Sequence, residues 1–255
     1  MHTSWSVMLQ YRAAVFTWTL WSLAVPIVQL SVWSAIIAVE GGMDGYDREN
    51  IIAYFLLQSI VFHMTTAWHV YEFSEYIRSG TLSMWLLRPF DPSHQFVTSN
   101  LSFKFVNLIW LTPIWIGLWV YFRPGITYSA ARVIAFALGL LLAATLSFLW
   151  THMWAMVAFW TVRAHSFYDL ASTIGYLIGG GIAPVGLLPG FLQKISRYLP
   201  FYYMTGMPIE VGIGTAPPGA GWAGLGIALG WILAFYGAYR LLWSAGLKRY
   251  GAVGA

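Results

Sequence analysis

Long apolar runs separated by short polar breaks set the pattern of this chain. Runs at about 13–39, 51–71, 105–122, 131–160, 170–188 and 222–243 predict six transmembrane helices, because ~20 apolar residues in a helix cross the ~30 Å hydrocarbon core. The fourth run is longer than a bilayer needs, so it tilts or projects into the cytoplasm. Pro26 and Pro113 fall inside the first and third runs, where neighbouring helices or water satisfy the freed carbonyls. The fifth run is broken by Gly179, Gly180, Gly181, Pro184, Pro189 and Gly190. Non-helical backbone at membrane depth survives only under protein or beside a water-filled cavity. The following FLQKISRYLPFYYMTGMPIEVGIG is too interrupted to span and predicts one or two short outer helices, partly re-entrant, closed by Pro217 and Pro218. Residues 1–12, with Trp5, Met8 and Leu9 apolar, predict a weakly amphipathic lead-in along the inner membrane face.

One stretch between the second and third runs differs from the rest. In IRSGTLSMWLLRPFDPSHQ, Ile77 to Gln95, Gly80 interrupts the preceding helix, Thr81 is placed to cap a new one, and Pro89 ends it after two turns. Leu82, Trp85 and Leu86 at i, i+3, i+4 form an apolar stripe that Met84 and Leu87 widen. A helix over 81–88 rises only ~12 Å, too short to span. Periodicity leaves two destinations for its stripe, the lipid headgroups or a partner protein. Glu75 and Arg78 stand at i, i+3 and are positioned to pair.

Composition turns the pattern into a class. With 59% hydrophobic and 9% charged residues and a mean hydropathy of +0.66, the chain is an all-α integral membrane protein. The 15 tryptophans and 15 tyrosines cluster near run ends, at headgroup level, and the runs lack the alternation of a barrel. The net charge of +4 is scattered and needs no nucleic-acid partner. It reads as topology. With both termini inside, Arg12, Arg78, Arg88, Lys104, Arg163, Arg240, Lys248 and Arg249 are cytoplasmic, against Arg48, Arg123, Arg132, Lys194 and Arg197 outside. The absence of cysteine excludes disulfides, thiolate metal sites and a cysteine nucleophile.

Candidate chemistry is sparse. No G-x-x-x-x-G-K-[ST] occurs, and the apolar GYLIGGGIAPVGLLPG has no lysine, so any ATP is used by another chain. His165 and Asp169 form H-x-x-x-D, one residue short of the usual acyltransferase spacing; a histidine in a short inner loop, Thr161 to Asp169, beside a helix-capping aspartate is the better account. His63, His69 and Glu72 lack a zinc-ligand spacing, and no metal site is expected. His63 and His152 fall within apolar runs, where an ionisable group lines a pathway or packs as a neutral ring. Trp33, Tyr54 and Phe62 are the aromatic pathway candidates, belt anchoring and packing being the other reading of such rings. These residues leave open a membrane-embedded acyl or glycosyl transferase and a non-catalytic scaffold or channel.

Three segments resemble a known family: IRSGTLSMWLLRP (Ile77 to Pro89), LPGFLQKISRYLPF (Leu188 to Phe201) and GLKRYGAVG (Gly246 to Gly254). Together they are similar to the membrane (permease) subunit of bacterial ATP-binding-cassette (ABC) transporters of the type-2 exporter class. The resemblance implies a single transmembrane domain over 1–255, with two six-span subunits, identical or homologous, above two ATPase subunits that hold ATP and Mg2+. The setting it implies is the bacterial inner membrane. It makes 81–88 a coupling helix, with Leu82, Trp85 and Leu86 as plug and Arg78, Thr81, Arg88 and Asp91 around them. It also implies an outer gate near Pro184, Pro189, Phe201 and Glu210. The cargo is not indicated.

Overall fold

In the computed structural model the described residues are 12–40, 43, 45–89, 91–216 and 219–250. The expected lead-in over 1–11, Pro217 and Pro218, and the tail after residue 250 lie outside them. Every regular element of the described residues is helical: α1 Arg12–Glu40, α2 Arg48–Thr65, α3 His69–Arg78, α4 Thr81–Leu86, α5 Ser93–Phe122, α6 Ala130–Met156, α7 Ala164–Ile178, α8 Gly190–Tyr198, α9 Pro200–Met204, α10 Gly206–Ile213 and α11 Ala220–Arg249, with 3-10 turns at Val157–Phe159 and Val185–Leu187. Among the described residues, four stretches are long and apolar enough to cross a membrane: Arg48–Arg78, Ser93–Phe122, Ala130–Phe159 and Ala220–Arg249, with a shorter apolar stretch Leu23–Val39 in α1. The chain is a multi-pass membrane protein by that composition.

The most extensive contact joins α6 to α11, and α2 packs against α1, α6 and α10. Burial separates their roles. Ile51 to Leu56 of α2 are all buried, whereas Phe105, Ile109 and Val120 of α5 and Leu229, Leu233 and Leu241 of α11 are exposed. The fold therefore has a central helix, α2, inside a shell whose outer faces are apolar, the distribution a lipid solvent selects.

Several boundaries differ from expectation. The second run is not one helix: Thr66 is extended (φ −62°, ψ 133°), and α2 and α3 are separate helices. Thr65 Oγ1 and Thr66 Oγ1 return to the Val61 and Phe62 carbonyls, and Asn100 Nδ2 donates to the Thr66 carbonyl at 3.2 Å. Threonine side chains that bond i−4 carbonyls bend helices. α5 begins at Ser93, a full three turns before the expected start near Lys104, so Lys104 is interior and buried. Its first turns are polar, and hydropathy alone overlooks them. α7 starts at Ala164 after Arg163, so Asp169 is not its cap.

The broken fifth run is observed: α7 stops at Ile178, and Gly180 takes a positive φ of 99°. From there the chain runs on to the α2 N-terminal end and then returns, α9 and α10 packing against α6. Gly186 lies against Tyr46, at the α2 N-terminal end. Phe201 lies far below it, its ring 5.2 Å from that of Trp150. The chain then climbs, with Pro208 against Gly139 and Gly214 against Arg132. From Trp150 to Arg132 is about 27 Å of helix. Three short helices, α8, α9 and α10, build this dip where one or two were expected, Pro200 standing at the first position of α9.

Candidate functional site

The α3–α4 turn is built by Gly80, whose φ of +74° is open to glycine and strained for other residues. Gly80 is also the N-cap, without a side-chain bond. Thr81 is the first helical residue, not the cap; its hydroxyl pairs with Ser79 Oγ at 2.8 Å. The helix ends at Leu86, and Leu87 and Arg88 turn ahead of Pro89. Leu82 is 0% exposed among Val70, Phe73, Phe96 and Phe159. The Trp85 ring lies tilted against Tyr76 at 4.7 Å and Phe96 at 5.9 Å. Leu82 and Trp85 thus face their own bundle and are taken up there. The exposed ridge is Leu86 (37%), Met84 (62%) and Leu87 (87%), flanked by exposed Arg78 and Arg88. Arg78 pairs with Glu75 at 2.5 Å in the open, a bond worth ~0–1 kcal/mol. Asp91 turns inward, accepting from the Ser93 amide at 2.8 Å. A bond between Ser83 Oγ and Tyr250 OH, 2.9 Å, ties α4 to the end of α11. The ridge is a rigid apolar knob seated on a packed base.

The carbonyls freed by the glycine break are met by side chains from α1 and α2. Tyr54 OH donates to Gly180 O at 2.7 Å, Trp33 Nε1 to Ile182 O at 2.8 Å, and Gln29 Nε2 to Gly181 O at 2.9 Å, where Gln58 Nε2 also donates. Tyr54 and Trp33, considered above for a pathway, hold backbone here; Tyr54 has no exposed surface. Buried polar backbone left unpaired costs ~1–3 kcal/mol per group, so these four side chains make the break sustainable. Gln29 and Gln58 were missed in the sequence, although a glutamine inside an apolar run is itself a signal.

A cavity of about 330 Å3 opens where α2 breaks from α3, between α5, α6, α7 and α9. Phe62 and His63 line it, with Thr66, Trp68, Trp150 and Phe201 among the rest. Phe201, expected at an outer gate, lies in this cavity because Gly175 on α7 has no side chain: a Cβ there would fall 2.3 Å from the Phe201 ring. His152 is elsewhere, parallel to Phe148 at 5.6 Å and 3.1 Å from Ser93 Oγ, near α4.

Glu210 lines a second, polar cavity of about 440 Å3 with Arg197, Gln193 and Thr215 at the opposite end of the bundle. Tyr202 OH donates to its Oε2 at 2.6 Å and Tyr46 OH to its Oε1 at 3.4 Å. Burial first, then the neighbouring Glu210 charge, raise the Tyr46 phenol above its ordinary range, which keeps it a donor. Pro184 opens the 3-10 turn and Pro189 caps α8, so both frame this end. Asp169 accepts a hydrogen bond from Tyr71 OH at 2.5 Å, and the His165 ring lies 5.9 Å from that of Tyr71; the pair ties α3 to α7.

The family profile described as ABC-2 family transporter protein matches residues 23–254. No curated protein and no solved structure matches the chain significantly.

Proposed function

The chain belongs to the ABC-2 family of transporter membrane proteins, and on that premise we propose that it is the permease half of an ATP-driven exporter, without catalysis of its own. In this reading α1, α2 with α3, α5, α6, α7 with the break beyond it, and α11 are the six spans. The α4 end lies in the cytoplasm with both termini, in a bacterial inner membrane. Two such subunits, identical or homologous, sit above two ATPase chains that hold ATP and Mg2+, and α4 is the coupling helix.

The observation that supports this most is the seating of α4. Coupling needs a part that a partner can grip and that does not yield when gripped. Leu82 and Trp85 root the helix in the core shared by α3, α5, α6 and α11, while Met84, Leu86 and Leu87 stand out from it. Covering a large apolar side chain yields ~1.5–3 kcal/mol, so this small ridge, with Arg78 and Arg88 at its rim, is a sufficient docking point within a larger interface. A push on it is transmitted to four helices at once. The dip of α8 to α10, with Pro184, Pro189 and Glu210, forms the outer side of the route.

Because the chain has no cysteine, Leu87→Cys carries a single reactive thiol. A charged maleimide added to inverted vesicles labels it when the chain is alone and fails to label it when the ATPase subunits are co-assembled. Equal labelling in both states overturns the coupling role. The transferase reading makes a different prediction: purified chain, free of ATPase, modifies a lipid and loses that activity in His165→Ala.

A further inference from the structure

We propose that the cavity at the Glu210 end holds the headgroup of a phospholipid that carries a primary ammonium, with the acyl chains lying on the outward face of α8. The proposal concerns binding by this chain alone; that such a lipid is cargo rests on the permease reading.

The helix α8 is amphipathic with its sides reversed. Its polar side packs inward: Ser196 is 0% exposed and its Oγ donates to the Ile178 carbonyl at 2.6 Å, and Gln193 Nε2 donates to the Gly186 and Leu188 carbonyls. Its apolar side turns outward as Phe191 (65% exposed), Ile195 (47%) and Tyr198 (81%), at i, i+4, i+7. At ~3.6 residues per turn, Lys194 and Arg197 come between this ridge and Gln193, and both are exposed. Passing round the helix from the ridge, one meets apolar surface, then two cations, then the polar cavity that Gln193 and Arg197 line. Acyl chains, phosphate and headgroup amine follow one another in the same order in a phospholipid.

The charges in the cavity select the headgroup. Among the described residues, Arg197 and Glu210 are the charged groups of its lining, and no salt bridge joins them, the one ion pair being Glu75 with Arg78. Unlike charges that share a cavity of about 440 Å3 without touching leave room for a zwitterion. The phosphate goes to Arg197 and Lys194, which at i, i+3 reach one anion. The ammonium goes toward Glu210, with Thr215 and Asn50 of the lining as further acceptors. Glu210 keeps 4% of its surface open and has capacity to accept. A carboxylate accepts at about four positions; Tyr202 OH takes one at 2.6 Å and the Val185 amide another, while Tyr46 OH stands at 3.4 Å, longer than a normal O–H···O bond. A trimethylammonium has no N–H to give these acceptors. A headgroup with phosphate alone brings a second negative charge beside Glu210.

The test is native mass spectrometry of the full chain in mild detergent, titrated with phosphatidylethanolamine, phosphatidylcholine and phosphatidylglycerol of one acyl composition. Phosphatidylethanolamine is expected to bind at about tenfold lower concentration than the other two, the ratio that one hydrogen bond to a charged group supports. Its deacylated headgroup, glycerophosphoethanolamine, is expected not to displace it at equal concentration. Glu210→Gln is expected to bring phosphatidylethanolamine to the level of phosphatidylcholine and to leave phosphatidylcholine unchanged. If Glu210→Gln does not fold, Arg197→Gln replaces an exposed side chain and keeps the backbone bond to Tyr203 OH; the same fall is expected from it. Equal binding of the three lipids, preference for phosphatidylglycerol, displacement by the free headgroup, or a phosphatidylethanolamine preference that survives in the folded variant overturns the proposal. No ATPase is present, so failure here leaves the permease reading intact, and success does not establish it.

Discussion

Leu82, within α4, and Leu87, the residue that ends it, are five residues apart and differ in burial. Leu82 is sealed into the chain's own core, so Leu82→Ala loses ~2–5 kcal/mol of stability and is expected to lower the melting temperature of the isolated chain in detergent. Leu87→Ala, with its side chain in the open, is expected to leave that temperature unchanged. Glu210 gives a second residue-scale contrast. Tyr202 OH donates to its carboxyl at 2.6 Å inside the bundle, and a hydrogen bond to a charged group is worth ~1.5–3 kcal/mol. Tyr202→Phe is expected to destabilise by that order, read by thermal unfolding, while Tyr203→Phe, whose hydroxyl reaches only the Arg197 carbonyl nearer the surface, is expected to cost less.

At the scale of elements, the limits of α4 could be read from Gly80 and Pro89, and the break after α7 from three glycines and a proline. The side of α4 that packs inward could not. Apolar residues occupy both of its sides, Leu82 and Trp85 on one, Met84 and Leu87 on the other, and periodicity finds a stripe without saying what covers it. The start of α5 was hidden for a related reason. Its first turns, S-H-Q-F-V-T-S-N, are polar in composition yet lie against protein, with Phe96 and Asn100 buried. Of the pathway candidates, His63 and Phe62 line the cavity, whereas Tyr54 and Trp33 serve the glycine break, a difference that residue type alone does not carry. The dip of α8 to α10 depends on the close approach of Phe201 to α7. Gly175→Leu drives a side chain into that ring and is expected to abolish folded yield, by size-exclusion chromatography; Phe201→Ala in the same chain is expected to restore part of it. Failure of Gly175→Leu to disturb the protein contradicts the packing of α9 described above.

The whole molecule joins a buried central helix, an apolar outer shell and two dissimilar ends. One end carries the α4 ridge and the other the Glu210 cavity, and α6 and α11, which pack along each other, lie between them. The most direct measurement is retention of the ATPase subunits by a tagged chain in mild detergent. Leu87→Asp paired with Met84→Asp puts charge on the ridge without touching the core beneath it. The predicted result is loss of the ATPase from the purified assembly, about 30-fold or more for ~2 kcal/mol of lost docking, while the melting temperature of the chain alone stays at the wild-type value. Full retention of the ATPase by that doubly charged variant, folded and inserted, contradicts the account.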